Sequence, residues 1–136
     1  GLVDPCTLLG DNAPMAPHLK TIAVDLDGTL AKHGKWRGYS HIGEPILAML
    51  DRVKRAIDAG YRIVIFTARA APGPDQAFAI QQVKVWAFNN GLGDIEVTAI
   101  KDMTMTEFWD DRAVRVEANT GMVGGIRDTL WAEVSE

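Results

Sequence analysis

The stretch that decides the fold is Thr21-Ile22-Ala23-Val24-Asp25-Leu26-Asp27-Gly28-Thr29-Leu30. Its apolar first half predicts a buried strand, and two carboxylates follow, one residue apart. Because successive strand side chains point to opposite faces, we expect Asp25 and Asp27 on one side of the chain. Gly28 lets the chain turn sharply behind them. Two anions this close repel each other, so the pattern indicates a bound cation, a shared proton, or both.

Length and composition indicate one globular domain. The chain has 136 residues, 47% of them apolar and 24% charged, which is enough for a core of its own. The net charge of −4 does not favour a nucleic-acid partner, which a basic surface usually binds. The single cysteine, Cys6, excludes an internal disulfide and favours a reducing, cytoplasmic location. No apolar run approaches the length of a membrane span, so we expect no membrane partner.

Most of the chain alternates between predicted strands and helices. Residues 1–19 are expected to be an irregular arm, or a remnant before an alternative start at Met15, and residues 20–136 the domain. Strands are predicted over Thr21–Leu26, Tyr61–Phe66, Ile95–Ile100 and Met105–Trp109, with a short fifth over Val114–Glu117. Helices are predicted from Pro45 to Gly60, over Asp75–Asn89 and near Arg127–Val134, with a flap at 28–43 and a glycine-rich turn at 121–125.

This order predicts a single-domain α/β fold. Strand–helix–strand units imply parallel strands joined by right-handed crossovers, with helices on both faces of the sheet. In such sheets, ligands bind beyond the carboxyl ends of the strands. Four strands deliver polar groups to that edge, namely Asp25, Asp27, Thr67, Lys101, Asp110 and Asp111.

These groups suit the transfer of a phosphoryl group. Carboxylates without His or Cys nearby favour a hard cation, Mg²⁺ above all. A hydroxyl and an ammonium opposite the metal would hold phosphate oxygens, and electrostatic positioning is most of what the reaction requires. One carboxylate can act as the nucleophile, and a second, two residues on, can exchange protons with the leaving group and with water.

The chain resembles the haloacid dehalogenase superfamily of phosphotransferases over about residues 20–118. The resemblance rests on four motifs in this order: Asp25-Leu26-Asp27-Gly28-Thr29, Phe66-Thr67-Ala68-Arg69, Lys101 and Asp110-Asp111. It implies that Asp25 is the nucleophile and a metal ligand, and that Asp27 is the general acid/base and a ligand through its carbonyl. It also implies that phosphate or substrate is bound by Thr67, Ala68, Arg69 and Lys101. The Mg²⁺ site would be completed by Asp110 and Asp111, of which we favour Asp111 as the direct ligand.

The spacing leaves no room for a cap domain. Between Asp27 and Thr67, one helix and one strand use most positions, and only residues 28–43 remain for a flap. The resemblance is therefore to the capless, Rossmann-like members, whose open sites admit a phosphorylated small molecule or a macromolecular end. Otherwise the lid comes from the 1–19 arm or from a second subunit of a homo-oligomer.

Three alternatives to this phosphomonoesterase stay open. The run Asp110-Asp111-Arg112 also resembles the phosphatase domain of polynucleotide kinase-phosphatases, so a polynucleotide 3′-phosphatase or a nucleotidase is one alternative. A two-component receiver domain also gathers Asp, Thr, Lys and Mg²⁺, but in chain order its acidic pair follows the first strand and its phospho-acceptor a middle one. Here the nucleophile-like Asp25 and Asp27 follow the first strand. A catalytically silent binding or regulatory module of the same fold is the third.

Side chains near the motifs each allow two interpretations. Arg69 either reaches substrate phosphate or pairs with a carboxylate. Trp36 and Tyr39 are either flap aromatics over the site or loop anchors. His33 and His41 are either exposed loop residues, which we favour, or residues that touch the substrate. Arg112 is expected to accompany the acidic pair, since a guanidinium suits carboxylate contacts.

Overall fold

The computed structural model describes residues 20–124, which form one parallel sheet with two helices. The strands are β1 (Thr21–Val24), β2 (Arg62–Phe66), β3 (Glu96–Thr98) and β4 (Met105–Trp109). The helices are α1 (Leu47–Asp58) and α2 (Gln76–Asn89), and a single 3₁₀ turn covers Ala68–Ala70. The strand order is β3-β2-β1-β4, and every neighbouring pair is parallel. The predicted Rossmann-like α/β fold is therefore confirmed.

The main core lies between the helices and one face of the sheet. One buried cluster joins alternate strand residues to both helices: Ile22, Val24, Ile63, Ile65, Val97, Leu50, Val53, Val83 and Ala87. The opposite face carries a smaller cluster of Ala23, Val64 and Met105, with Phe66 packed against it. Within residues 20–124, both helices therefore lie on this first face, whereas the sequence predicted helices on both faces. The chain moves from β1 to β2 to β3 in one direction across the sheet, so two right-handed crossovers place both helices on the same side.

The central position of β1 explains its uninterrupted apolar sequence. All four of its residues are buried, as expected for a parallel strand with a neighbour on each side. At its carboxyl end, Val24 is in register with Ile65 of β2 and with Trp109 of β4. The amide of Asp25 then donates a hydrogen bond to the carbonyl of Trp109 at 2.9 Å. Residues that follow β1 and β4 therefore emerge side by side.

Strand β1 ends two residues earlier than predicted, at Val24 instead of Leu26. The carbonyl of Leu26 accepts hydrogen bonds from the amides of Thr29, Leu30 and Ala31 at 2.9–3.2 Å. These bonds close a tight turn. The backbone of Leu26 therefore belongs to this turn, while its side chain is fully buried in the core. Helix α1 begins at Leu47, and Pro45 lies ahead of it in a bridge with Ala31 instead of occupying the first turn.

The later part of the sheet also differs from the prediction. Strand β3 covers only Glu96–Thr98, because the hydroxyl of Thr98 accepts a hydrogen bond from the amide of Ile100 at 3.0 Å and bends the chain. The predicted strand over Val114–Glu117 was wrong, since that region forms a single bridge between Val116 and Val123. The arm at 1–19, the predicted helix near 127–134 and residue 125 of the glycine-rich turn lie outside the described residues.

Membrane insertion through a helix has no candidate in the described part of the chain. Neither helix within residues 20–124 combines the length and the apolar composition that a membrane crossing requires.

Replacing Leu26 by alanine tests whether the residue between the two leading aspartates anchors the turn. Because Leu26 is fully buried, we expect Leu26→Ala to lower the free energy of unfolding by about 2–5 kcal/mol. Leu47→Ala is the matched control, because Leu47 is 72% exposed at the start of α1 and its truncation leaves no cavity. Urea denaturation measures both changes, and equal losses in the two variants would contradict this role.

Candidate active site

Three carboxylates converge at the carboxyl edge of the sheet. Asp25 follows β1, and Asp110 and Asp111 follow β4; one oxygen from each lies within 4.8 Å of the other two. A hydrogen bond joins the ends of β1 and β4, so these three carboxylates lie close together although Asp25 is far from the other two in sequence. The structure thus places the first predicted aspartate beside the predicted acidic pair, and both members of that pair belong to the cluster.

Thr29 and Gly28 shape the turn around Asp111. The buried hydroxyl of Thr29 accepts a hydrogen bond from the Asp111 amide at 2.9 Å and donates one to Asp111 Oδ1 at 2.9 Å. Gly28 has a φ of +93°, and a Cβ there would lie 2.6 Å from Asp111 Oδ2. Only glycine fits this position. Thr29 was not among the predicted site residues, although its place directly after Asp25-Leu26-Asp27-Gly28 was a signal for this role.

The crowding changes the acidity of the cluster. Burial, a hydrogen bond with Asp111 and the charge of Asp110 raise the pKa of Asp25 to about 7. Burial acts in the same direction on Asp111, but hydrogen bonds from Thr29 and Asp25 outweigh it and hold the pKa of Asp111 below its ordinary value. Within the described residues, no Lys or Arg forms an ion pair with these three carboxylates. A proton shared by Asp25 and Asp111 therefore relieves their repulsion when no cation is bound.

Asp27 takes a different partner from Asp25. The guanidinium of Arg69 grips both of its oxygens, with Nε donating to Oδ2 at 2.7 Å and Nη2 donating to Oδ1 at 2.9 Å. Arg69 is only 7% exposed, so the ion pair is shielded from water. The sequence left open whether Arg69 meets a phosphate or a carboxylate, and in the structure it holds a carboxylate. A fork of this kind fixes the orientation of the acid it grips.

The flap is a loop closed at its base, which we call the aromatic loop (residues 32–44). The amide of Lys32 donates to the carbonyl of Glu44 at 2.8 Å, and Trp86 Nε1 of α2 donates to the carbonyl of Gly43 at 2.9 Å. A side chain at Gly43 would collide with the carbonyl oxygen of Lys32, which explains the glycine. The two ends of the loop are therefore held together and fastened to α2.

Arg69 also ties the aromatic loop to the site. Its guanidinium donates to the carbonyls of Tyr39 at 3.3 Å and His41 at 3.0 Å. Its Cζ lies 4.8 Å from the centre of the Trp36 ring, and the edge of Tyr39 meets that ring at a centroid distance of 5.1 Å. One buried side chain thus positions both Asp27 and the loop that faces it.

An open cavity of about 600 Å³ is lined by the aromatic loop and by three of the four aspartates, Asp111 being the exception. Six of the predicted site residues line it: Asp25, Asp27, Thr67, Ala68, Arg69 and Asp110. The buried hydroxyl of Thr67 accepts a hydrogen bond from the amide of Arg69 at 3.2 Å, which leaves its own proton free to donate. The amide of Ala68, at the start of the 3₁₀ turn, has no backbone acceptor within the described residues. These two donors can hold the oxygens of an anion.

Lys101 does not line this cavity. It is exposed, and its ammonium lies 4.9 Å from the centre of the Phe108 ring, which packs against Phe66 at 5.8 Å. Its predicted contact with phosphate stays a prediction.

A second arginine reaches the cavity from the acidic side. Arg112 lines it, and its amide donates to Asp110 Oδ1 at 2.7 Å. Burial raises the pKa of Asp111, whereas the hydrogen bonds to that carboxylate lower it. The positive charge of Arg112 lowers it further. Arg112 thus contacts the acidic pair through its backbone amide, and the expected ion pair between its guanidinium and these carboxylates is not formed within the described residues.

Comparisons with known proteins give one structural similarity. No family model matches the sequence, and no curated protein sequence matches it either. A solved structure of a conserved protein from Bacteroides thetaiotaomicron aligns over 85% of this chain and 92% of that chain, with 23% identity and a TM-score of 0.46.

Neutralising Asp25 tests the repulsion within the cluster. The pKa of Asp25 in the folded protein lies above the ordinary value of 3.8, so the folded state binds this proton more tightly than the unfolded state. The metal-free protein therefore loses stability as the pH rises towards about 7. We therefore expect Asp25→Asn to stabilise the metal-free protein above pH 7. Because solvent screens this half-buried group, we expect the free energy of unfolding to rise by about 1 kcal/mol and the melting temperature by about 3–5 °C.

The measurement is thermal unfolding in EDTA, repeated with Mg²⁺. Asp51→Asn is the control, because Asp51 is an exposed residue of α1 and belongs to no carboxylate cluster in the described structure. Added Mg²⁺ should raise the melting temperature of the unchanged protein more than that of Asp25→Asn. A lower melting temperature for Asp25→Asn in EDTA would contradict the interpretation.

Replacing Arg69 by lysine keeps the charge but removes the fork. A lysine ammonium cannot grip both oxygens of Asp27 and also reach two loop carbonyls. We expect Arg69→Lys to cost about 1–3 kcal/mol of stability and to speed trypsin cleavage after Lys35 and Arg37 in the aromatic loop. Fragment masses identify the cleaved bonds.

Arg55→Lys is the matched control for the Arg69 variant. Arg55 pairs with Asp51 at 2.9 Å on the exposed surface of α1, where a pair contributes at most about 1 kcal/mol. Cleavage of the aromatic loop at the same rate in both variants would show that Arg69 does not hold it.

Proposed function

We propose that this chain is a Mg²⁺-dependent phosphomonoester hydrolase of the haloacid dehalogenase type that works through an aspartyl-phosphate on Asp25. The observation that carries the proposal is the convergence of Asp25, Asp110 and Asp111 beside a cavity with anion-binding donors. A carboxylate cluster without an internal cation lies next to free donors for an anion, and this combination suits a metal-assisted reaction of a phosphate ester.

The donor set fits Mg²⁺. Carboxylate oxygens are the ligands that this ion prefers, and it needs few of them because it retains several waters. Asp25, Asp110 and Asp111 would hold the ion, and Gly28 keeps the space beside Asp111 open. When bound, Mg²⁺ neutralises charge on the cluster and on the phosphoryl group.

The residues that line the cavity would carry out the transfer of the phosphoryl group and its later hydrolysis. A carboxylate oxygen of Asp25 attacks phosphorus, the ester P–O bond breaks, and the leaving oxygen takes a proton from Asp27, which enters this step as the carboxylic acid and leaves it as the carboxylate. The hydroxyl of Thr67 and the amide of Ala68 hold phosphoryl oxygens during the transfer. Asp27 then takes a proton from water as the water attacks phosphorus, which releases inorganic phosphate and restores the Asp25 carboxylate. Arg69 keeps Asp27 oriented towards the cavity throughout.

The order of the motifs favours hydrolysis over a receiver domain. The nucleophile in this proposal follows β1, and a second acid lies two residues beyond it in the same cavity. A receiver domain does not hydrolyse an external ester, so it has no leaving alcohol that a second acid would need to protonate. A silent module that only binds Mg²⁺ would need the carboxylate cluster, but it would need neither Asp27 nor the anion donors Thr67 and Ala68 in the neighbouring cavity.

Hydrolysis of p-nitrophenyl phosphate tests the proposal. We expect turnover with Mg²⁺, loss of turnover in EDTA, and a fall in kcat of at least about 10³-fold in Asp25→Asn. Asp27→Asn should lower kcat by about 10²–10⁴-fold, because proton transfer is lost. Borohydride added during turnover should reduce an acyl-phosphate at residue 25, and peptide mass spectrometry would locate the reduced residue.

Asp51→Asn serves again as the control and should keep full activity, because Asp51 lies on the exposed surface of α1. Activity that persists in EDTA and in Asp25→Asn would overturn the mechanism. Mg²⁺ binding without hydrolysis of any ester in a broad panel would favour the silent module.

A further inference from the structure

Three ring-bearing side chains of the aromatic loop gather around Asp27. His33, Trp36 and Tyr39 all line the cavity. His33 Nδ1 lies 3.5 Å from Asp27 Oδ1, and Trp36 stacks on the guanidinium that grips the same carboxylate. In the proposed reaction, Asp27 delivers a proton to the leaving group. The rings therefore surround the part of the cavity that the leaving group would occupy.

Trp36 is held in one orientation and still exposes much of its surface. The Arg69 guanidinium lies over its ring at 4.8 Å, and Tyr39 meets the ring edge-on at an interplanar angle of 82°. Nevertheless, Trp36 is 51% exposed. A large aromatic ring that is already ordered loses little further freedom when a flat group stacks on it. Such a ring is a preformed surface for a planar ligand.

We propose that the substrate is a phosphomonoester whose leaving group carries a planar ring that stacks on Trp36. The inference rests on the proposed function for the position of the leaving group. A cavity of about 600 Å³ has the size of a site for a small molecule. The aromatic loop, closed at its base by the bond between Lys32 and Glu44, limits that site on one side. These features favour a nucleotide-sized ester over a bare sugar phosphate.

Adenosine 5′-monophosphate and ribose 5-phosphate form a matched pair of test substrates. Both release a primary ribose hydroxyl from phosphorus, and they differ in the adenine ring. We expect kcat/KM to be about 5- to 150-fold higher for the nucleotide, the range that stacking of one base on an aromatic side chain provides. Trp36→Ala should bring the ratio of the two kcat/KM values close to one, and Trp36→Phe should restore part of it.

Phe88→Ala is the control for a lost aromatic side chain. Phe88 lies on α2 and is 68% exposed, and the variant should keep the ratio of the unchanged protein. Equal kcat/KM values for the two substrates, or a ratio that Trp36→Ala leaves unchanged, would overturn the inference.

A binding measurement separates this inference from the proposed function. Calorimetric titration of Asp25→Asn with the same two compounds, with Mg²⁺ present, should show tighter binding of the nucleotide, and Trp36→Ala in that background should remove the difference. If the unchanged protein hydrolyses no phosphate ester, p-nitrophenyl phosphate included, but this difference in binding is present, the proposed function fails and the ring site stands. If hydrolysis occurs without any preference in rate or binding, the ring site fails and the proposed function stands.

Discussion

The repulsion among three carboxylates at one edge of the sheet is the unfavourable interaction that the surrounding turns and hydrogen bonds must overcome. Asp25, Asp110 and Asp111 are forced together because the ends of β1 and β4 are hydrogen bonded to each other. A fold selected only for stability would separate these charges or pair them with Lys or Arg. Here the turn after β1 supplies a hydroxyl and a glycine that keep Asp111 close. The arrangement is one that a bound divalent cation would make favourable.

The second organising element is the buried guanidinium of Arg69. Its nitrogen atoms connect the second aspartate of the first motif to two carbonyls of the aromatic loop. An exposed loop would ordinarily sample many conformations. This one is closed at its base and gripped near its middle, so its rings are ordered before any ligand arrives. In the function that we propose, selection among substrates can therefore reside in a loop of modest length, without an inserted domain.

Much of this could be predicted from the sequence, because the strongest signals are local. The apolar run before Asp25 predicted the central strand, and parallel topology then predicted which residues share an edge. Strand ends were less predictable, since the hydroxyl of Thr98 competes with the sheet for a backbone amide. The partner of Arg69 could not be chosen in advance, because a guanidinium suits phosphate and carboxylate equally. The place of Lys101 depends on contact with Phe108, and no periodicity encodes such a contact.

The pairing of β1 with β4 makes the site a late product of folding. Thr29 and Asp111, which hydrogen bond to each other, are 82 positions apart, so their contact closes a loop that contains both helices and the strands β2, β3 and β4. Closing so long a loop costs entropy that only the finished sheet recovers. Partly folded chains would therefore lack the carboxylate cluster altogether. A cation bound as we propose would then stabilise only the fully folded domain and would add to the cooperativity of its folding.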